Sequence, residues 1–512
     1  MVTMAQFSTA LRDGELPVAW SNNFANLGLP LPLFAHQLPA YAGALLILLG
    51  LSVVKAYNIL MLAGVFLSAF LFYLFAKKYS SSNTALAVVV FMSFFPYRII
   101  NIYFRGGLPE IFASAIFPGL LLLLFLINVE KKKSWVPLFG FGVASLALTH
   151  PMMLLIFFVP LGGYYLATSS QLRFKDHLLT VGSAVLGLGA SAYYILPLVL
   201  EMKYFYQGLG KPTIIESSFL STNNFLDPNW YYFLTHPGPR GNFIKLGVIE
   251  LIVLISVVLG VLYLFLKQQK IKSFLSVNKQ LVVWLTISIV SILLMLSPAK
   301  VFYNLIPGLN QIQYAWRFLA VLQFSIPLFT LFAMKKMSQK SRDLVMIILL
   351  IILVIARVPQ LYGKNYVLIP EDKFYFTQSN LHSVNLNTIW SDNSENYPKK
   401  QIQTEIIEGE GEIFVLAIKN ASREYEIKAS EPIKVVDYTF YFPGWTVEVD
   451  GEPVEIEFQD INFRGLITYD LPPGSYQVIV KYYPTKIRLV SCFVSVISLL
   501  AFGAMIITNT KK

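Results

Sequence analysis

Eleven apolar segments in 512 residues constrain this chain more than any other feature. They lie at 55–76, 82–97, 108–128, 135–149, 151–169, 177–200, 245–266, 280–298, 316–334, 343–359 and 487–508. A transmembrane helix needs ~20 largely apolar residues, so the segments predict a polytopic α-helical membrane protein of about 11 spans. Only 13% of residues are charged, against about 25% in a soluble domain. The single cysteine, Cys492, excludes internal disulfides and thiol-ligated metal sites. No basic, short-cored signal peptide opens the chain.

The net charge of +11 invites a nucleic-acid reading, which its distribution excludes. Residues 360–486 hold 19 acidic and 11 basic residues, a balance of −8, and the remainder holds 10 and 29, a balance of +19. The excess sits in short loops: Lys77-Lys78, Lys131-Lys132-Lys133, Arg173/Lys175, Lys267/Lys270/Lys272/Lys279, Lys335/Lys336/Lys340/Arg342 and Lys511-Lys512. With the eleven spans, every cluster falls on one side, which the positive-inside rule makes cytoplasmic. Residues 38–53 are apolar but short and bounded by Pro39 and Gly50. They read as an interfacial or re-entrant helix on the outer face. The N-terminus is then outside, and one further helix is expected upstream of Met1.

Four regions follow. Residues 1–54 form an outer substrate loop and interfacial helix, 55–359 a multi-span domain, 360–486 an extracytoplasmic β-rich domain, and 487–512 a last helix and cytoplasmic tail. In 360–486 the hydrophobic period becomes two, at 412–418, 433–442, 445–449, 453–458 and 476–483. Asp450-Gly451 is a strong hairpin signal, and Pro472-Pro473-Gly474 marks another turn. These features predict a β-sandwich.

Candidate chemistry collects at the outer mouths of the spans. The first loop carries Asp13, Trp20, Asn22, Asn23, Asn26 and His36 among turn residues. Amides pair with sugar hydroxyls and tryptophan stacks on a sugar face; a solvated lid would also use such residues. Arg98, then Arg105-Gly106-Gly107-Leu108-Pro109-Glu110, sit where a helix re-enters the membrane. Glu110 stands in a first turn, where the helix dipole favours its charge, and Arg105 suits a phosphate. An ordinary first-turn acid and a snorkelling arginine are the plain alternative. His150 marks an outer turn. Tyr204, Tyr206, Trp230, Tyr231, Tyr232, His236 and Arg240 furnish the loop 201–244. Gln313, Tyr314, Trp316 and Arg317 group at another mouth, where Arg317 could hold a lipid phosphate or simply anchor the helix. No metal-ligand spacing, P-loop, Rossmann fingerprint or nucleophile elbow stands out. Asn420-Ala421-Ser422 fits the N-glycosylation pattern.

LRDGELPVAWSNNFANLGLPLPLF, YFRGGLPEIFASAIFPGLLL, THPMMLL, IQYAWRFL, YFPGWTVEVDG and LPPGSYQVIVKYYP, in this order, resemble YfhO-like bacterial membrane proteins. They equally resemble relatives labelled 6-pyruvoyl-tetrahydropterin synthase-related membrane proteins, a label not read as an activity. Both groups look like GT-C-type glycosyltransferases. The resemblance implies an inner (plasma) membrane, multi-pass transferase. Its donor would be a polyprenyl-phosphate-linked sugar on the outer face, its acceptor a glycan, lipid or protein. It also implies an essential first-loop acid upstream of Met1, leaving Glu110 and then Asp13 as catalytic candidates. Trp20, Asn23, His36, Arg98, Arg105, His150, Gln313 and Arg317 would bind substrate. The resemblance implies no definite cofactor, and a divalent cation stays open. The rival reading is a non-catalytic transporter or envelope-assembly protein with a binding β-domain. Transporters, however, place ionisable groups near the bilayer midplane, and these spans are nearly charge-free.

Overall fold

The structure is a computed structural model. It describes all residues except 23–26, 34, 206–215, 222, 227–244, 269–277, 307, 362–368, 378–387, 392–396, 398–401 and 511–512. Its main helices are α1 (Val2–Arg12), α2 (Gln37–Leu48), α3 (Val53–Lys77), α4 (Ser82–Ser93), α5 (Pro96–Tyr103), α6 (Leu108–Asn128), α7 (Val136–Thr149), α8 (Pro151–Thr168), α9 (Phe174–Ala190), α10 (Ala192–Leu200), α11 (Val248–Gln268), α12 (Lys279–Leu294), α13 (Leu319–Ala333), α14 (Gln339–Arg357) and α15 (Lys486–Thr510).

Each of the eleven apolar windows falls on helix, but not every helix is long enough to cross. Among the described residues five are: α3, α6, α8, Ala315–Ala333 and Lys486–Ile507. The count reaches seven if two bent pairs each form one span. The window 82–97 breaks before Pro96, whose ring denies the helix a backbone donor, and α4 and α5 meet at a bend of 56°. The window 177–200 breaks at Ser191 with a bend of 68°. At a rise of ~1.5 Å per residue, the 14-residue α7 falls well short of a ~30 Å hydrocarbon core.

The chain divides into two compact units. Residues 1–60, 190–211 and 368–497 form one; 61–189, 212–367 and 498–512 form the other. The first unit corrects the reading of residues 1–12 as loop, because they form α1. Met4, Phe7 and Ala10 are buried, and Gly43 of α2 leaves room for the Met4 side chain. Gln6 also points inward, accepting from the Ser21 hydroxyl at 2.9 Å, which is why the segment looks more polar than a packed helix should.

The β-rich part of this unit is sandwich-like, with two antiparallel sheets. Strands β1 (Thr404–Glu408), β4 (Ile433–Phe440) and β7 (Leu466–Leu471) form one in the order β1-β4-β7. Strands β2 (Gly411–Lys419), β3 (Ser422–Ala429), β5 (Trp445–Val449), β6 (Glu452–Val454) and β8 (Gly474–Tyr482) form the other in the order β2-β3-β8-β5-β6. Val449 pairs with Glu452 across Asp450 and Gly451, both at positive φ (53° and 90°). This is the tight turn expected of Asp-Gly. The alternation of β3 buries Arg423, Tyr425, Ile427 and Ala429, one face of a strand whose other face is largely charged.

The first loop belongs to this sandwich. Trp20 is fully buried in its core, edge-on to Trp445 at 5.0 Å and 5.4 Å from Tyr482. Four contacts fix Asn420 in the β2–β3 hairpin. Its backbone N–H donates to Asp13 Oδ2 (2.7 Å), and its Nδ2 to Glu15 Oε2 (2.6 Å) and the Trp20 carbonyl (2.9 Å). Its Oδ1 accepts from the Asn22 N–H (3.2 Å). The glycosylation pattern at Asn420 is therefore a structural contact, since the amide that would carry a glycan is buried and bonded.

Candidate functional site

The second unit gathers three of the proposed site residues around the carboxylate of a fourth, Glu110. Leu108 and Pro109 open α6 behind Gly107, and Glu110 follows in its first turn. Gly106 takes φ +57°, a left-handed conformation that glycine adopts without strain. This turn folds Arg105 back along the α6 N-terminus. Arg105 Nη1 then donates to Glu110 Oε2 at 2.8 Å, and Nη2 to Oε1 at 2.9 Å. This is a bidentate fork, the strongest form of the pair. Arg105 also bonds Asn101 Oδ1.

An imidazole and a second guanidinium approach. His150 caps the α7–α8 junction in an extended conformation (φ −164°), and its Nε2 lies 3.9 Å from Glu110 Oε1. Arg317 Nε lies 3.9 Å from the same oxygen, too far for a hydrogen bond, and it has no hydrogen-bond partner among the described residues. Against one carboxylate stand two permanent guanidinium charges and a titratable imidazole. The cluster is thus net positive.

Aromatic rings bridge the two arginines. The Arg105 guanidinium lies 4.7 Å from the Trp316 ring centroid, and Trp316 stacks on Tyr314 at 4.9 Å and 23°. The Arg317 guanidinium lies 5.1 Å from the Tyr314 ring. The order is cation, ring, ring, cation, which holds two guanidiniums apart by cation–π attraction. Tyr97 completes the site, its hydroxyl donating to Glu110 Oε2 at 2.5 Å.

Arg98 follows Tyr97 on α5 but is turned away from Glu110. It is buried and donates to the Val65 carbonyl (3.0 Å) and to Ser68 Oγ, which corrects its assignment to substrate. Asp13 and Trp20 belong to the first unit, where Asp13 holds the Asn420 backbone and Trp20 is core. Trp20 presents no free ring face, and Asp13 is exposed with Oδ2 on the Asn420 N–H. His36 is the half-buried N-cap of α2 in that same unit. Gln313 is half-buried beside Tyr314. Asn23, Asn26, Tyr206, Trp230, Tyr231, Tyr232, His236 and Arg240 lie outside the described residues. Sequence reasoning left Tyr97 and Asn101 without roles, although they stand four apart on α5. On a helix, that spacing marks one face.

No group of three or more metal-ligating side chains occurs among the described residues. The sequence model of a family described as 6-pyruvoyl-tetrahydropterin synthase related domain, membrane protein, matches residues 34–363. This span includes the whole Glu110 cluster and stops short of the β-sandwich. No curated protein and no solved structure matches the chain.

Proposed function

The chain belongs to the 6-pyruvoyl-tetrahydropterin synthase related family of membrane proteins, and on that premise we propose that it is an integral membrane glycosyltransferase. Its donor is a polyprenyl-phosphate-linked sugar, and its acceptor is a cell-envelope glycan, lipid or protein. The observation that supports this reading is the net positive, aromatic-bridged cluster at the start of an apolar span. Such a site offers a phosphate two guanidiniums while the lipid tail stays among helices. The basic loops between spans favour an outward-facing cluster and an extracytoplasmic β-domain in the inner membrane.

In this reading the acceptor oxygen attacks the anomeric carbon, and the bond from that carbon to the phosphate oxygen breaks. Arg105 and Arg317 stabilise the departing lipid phosphate. Glu110 has a role different from a free general base. The Arg105 fork and the Tyr97 hydroxyl occupy its oxygens, so it positions Arg105 and faces His150. The acceptor proton goes to the His150 imidazole, which a neighbouring carboxylate can orient. Membranes carrying Arg317→Ala or His150→Ala, supplied with a labelled polyprenyl-phosphate sugar, should lose transfer; full transfer by both would exclude the site.

A second reading is non-catalytic binding of the same anionic lipid. The bidentate Arg105–Glu110 pair favours it, because a carboxylate so held is a poor base. Lipid binding with no sugar turnover by the wild type would select it.

A further inference from the structure

We infer that Arg98 is a positioning residue. By gripping α3 it fixes the rotation of α5, and so aims Tyr97 and Asn101 at the Arg105–Glu110 fork. The inference deepens the proposed transferase site and rests on that reading for its activity readout alone.

Helix α5 needs such a hold. It has 8 residues and follows α4 at a bend of 56°. Phe95, before the break, is extended (φ −63°, ψ 133°), so α4 does not dictate how α5 turns about its own axis. The rotation matters to the site. The Tyr97 hydroxyl donates to Glu110 Oε2, and Asn101 Oδ1 accepts from Arg105 Nη1. Both lie on one face of α5, and a small turn of the helix would withdraw them together.

Arg98 stands ~100° farther round α5 and faces α3. Its Nη2 donates to the Val65 carbonyl at 3.0 Å and to Ser68 Oγ. The Ser68 hydroxyl donates in turn to the same carbonyl, at 2.9 Å. Three groups thus close a ring of hydrogen bonds between the two helices. Hydrogen bonds are directional, whereas apolar burial is not. The ring therefore sets a rotation that the buried Ile99 and Ile100 leave loose. Stability alone does not call for a guanidinium here. Arg98 is 1% exposed, so its head does not snorkel to water. It has no ion-pair partner among the described residues, and its Nη1 is buried there without a hydrogen bond. A buried charge so poorly matched is costly, and an apolar side chain of similar length would fill the space at less cost. An ionisable group kept among spans under those conditions points to function. Its neighbour Tyr97 supplies that function.

The test places fluorotyrosine at position 97 of the full chain and reads its fluorine NMR line in detergent. Glu110→Gln, which weakens the acceptor of the Tyr97 hydroxyl, calibrates the shift. Arg98→Met should move the line the same way and melt no lower than wild type. It should also cut transfer from a labelled polyprenyl-phosphate sugar about tenfold or more, as misplaced catalytic groups do. Arg98→Lys, whose ammonium can meet both acceptors, should restore most of the transfer. Ser68→Ala, which opens the ring without touching α5, should move the line the same way by less. A line unmoved by both Arg98→Met and Ser68→Ala would overturn the inference. So would wild-type transfer by Arg98→Met, or a melting point that falls along with its transfer, the mark of a packing residue. If wild type transfers no sugar, the transferase reading fails, and the fluorine line alone decides for Arg98.

Discussion

Arg105 grips Glu110 with both arms of its guanidinium, at 2.8 and 2.9 Å, five residues apart in sequence and across the start of a helix. Breaking a largely buried pair leaves a charge without its partner, at a cost of about 3–5 kcal/mol. Arg105 keeps about a quarter of its side chain exposed, so Glu110→Ala should destabilise by about 3 kcal/mol, the lower end of that range. Thermal unfolding in detergent measures it. Glu110→Ala should also leave Arg105 less ordered, with transfer reduced more than substrate retention.

Asn420 joins residues some four hundred positions apart through Asp13, Glu15, Trp20 and Asn22. Its side chain makes one hydrogen bond to a carboxylate and two to the backbone. At about 1–3 kcal/mol for each partner left unsatisfied, Asn420→Ala should cost about 2–4 kcal/mol. Hydrogen exchange should rise together in β2, β3 and residues 13–22. Faster exchange in the hairpin alone would contradict a shared folding unit.

Trp20 is a core residue, so Trp20→Ala should cost about 3–5 kcal/mol, as large-to-small changes of aromatic residues do. Gly28→Ala should mimic it in part. Gly28 takes φ +69°, and an added Cβ would stand 2.5 Å from the indole Nε1. Thermal unfolding should show both losses. A Trp20→Phe variant that keeps its stability should keep its donor affinity too, since Trp20 touches no sugar in this account.

Two carboxyl groups of the first unit give pH dependences of opposite sign. Burial raises the Glu15 pKa, against the lowering influence of the Ala19 N–H, the Asn420 side chain and the Trp20 N–H. Its contribution is therefore full below the ordinary value of ~4.3 and is lost as pH rises through the folded value. Wild type should lose stability relative to Glu15→Gln as pH rises above ~4. Burial also opposes ionisation of Asp460, but the Lys434 ammonium and the Asn462 and Phe463 N–H groups outweigh it and lower the pKa. That contribution is present above the ordinary value of ~3.9 and is lost as pH falls through the folded one. Wild type should lose its advantage over Asp460→Asn on acidification below pH ~4. Melting curves across this range check both signs.

The helices and the Asp450-Gly451 hairpin were legible because local pattern determines them. So were Arg105, Glu110, His150 and Arg317, charged or titratable groups at the ends of apolar runs where burial needs a reason. What escaped depends on distant partners. Trp20 resembles a ligand platform until Trp445 and Tyr482 arrive from more than four hundred residues away. Helix α1 looks like loop because Gln6 turns its amide inward to Ser21. Tyr97 and Arg98 differ by one position, hence by ~100° around α5, and the more chemically conspicuous of the two is the one facing away.

In the proposed function, Arg105 and Arg317 bind the phosphate of a polyprenyl lipid. Binding of undecaprenyl phosphate to purified protein in detergent, by native mass spectrometry, tests it most directly. Wild type should retain the lipid, and Arg317→Ala, which leaves the Arg105–Glu110 fork in place, should weaken it about tenfold or more, as loss of a charge-assisted contact predicts. Equal retention by wild type and Arg317→Ala, with both proteins folded, would contradict the account.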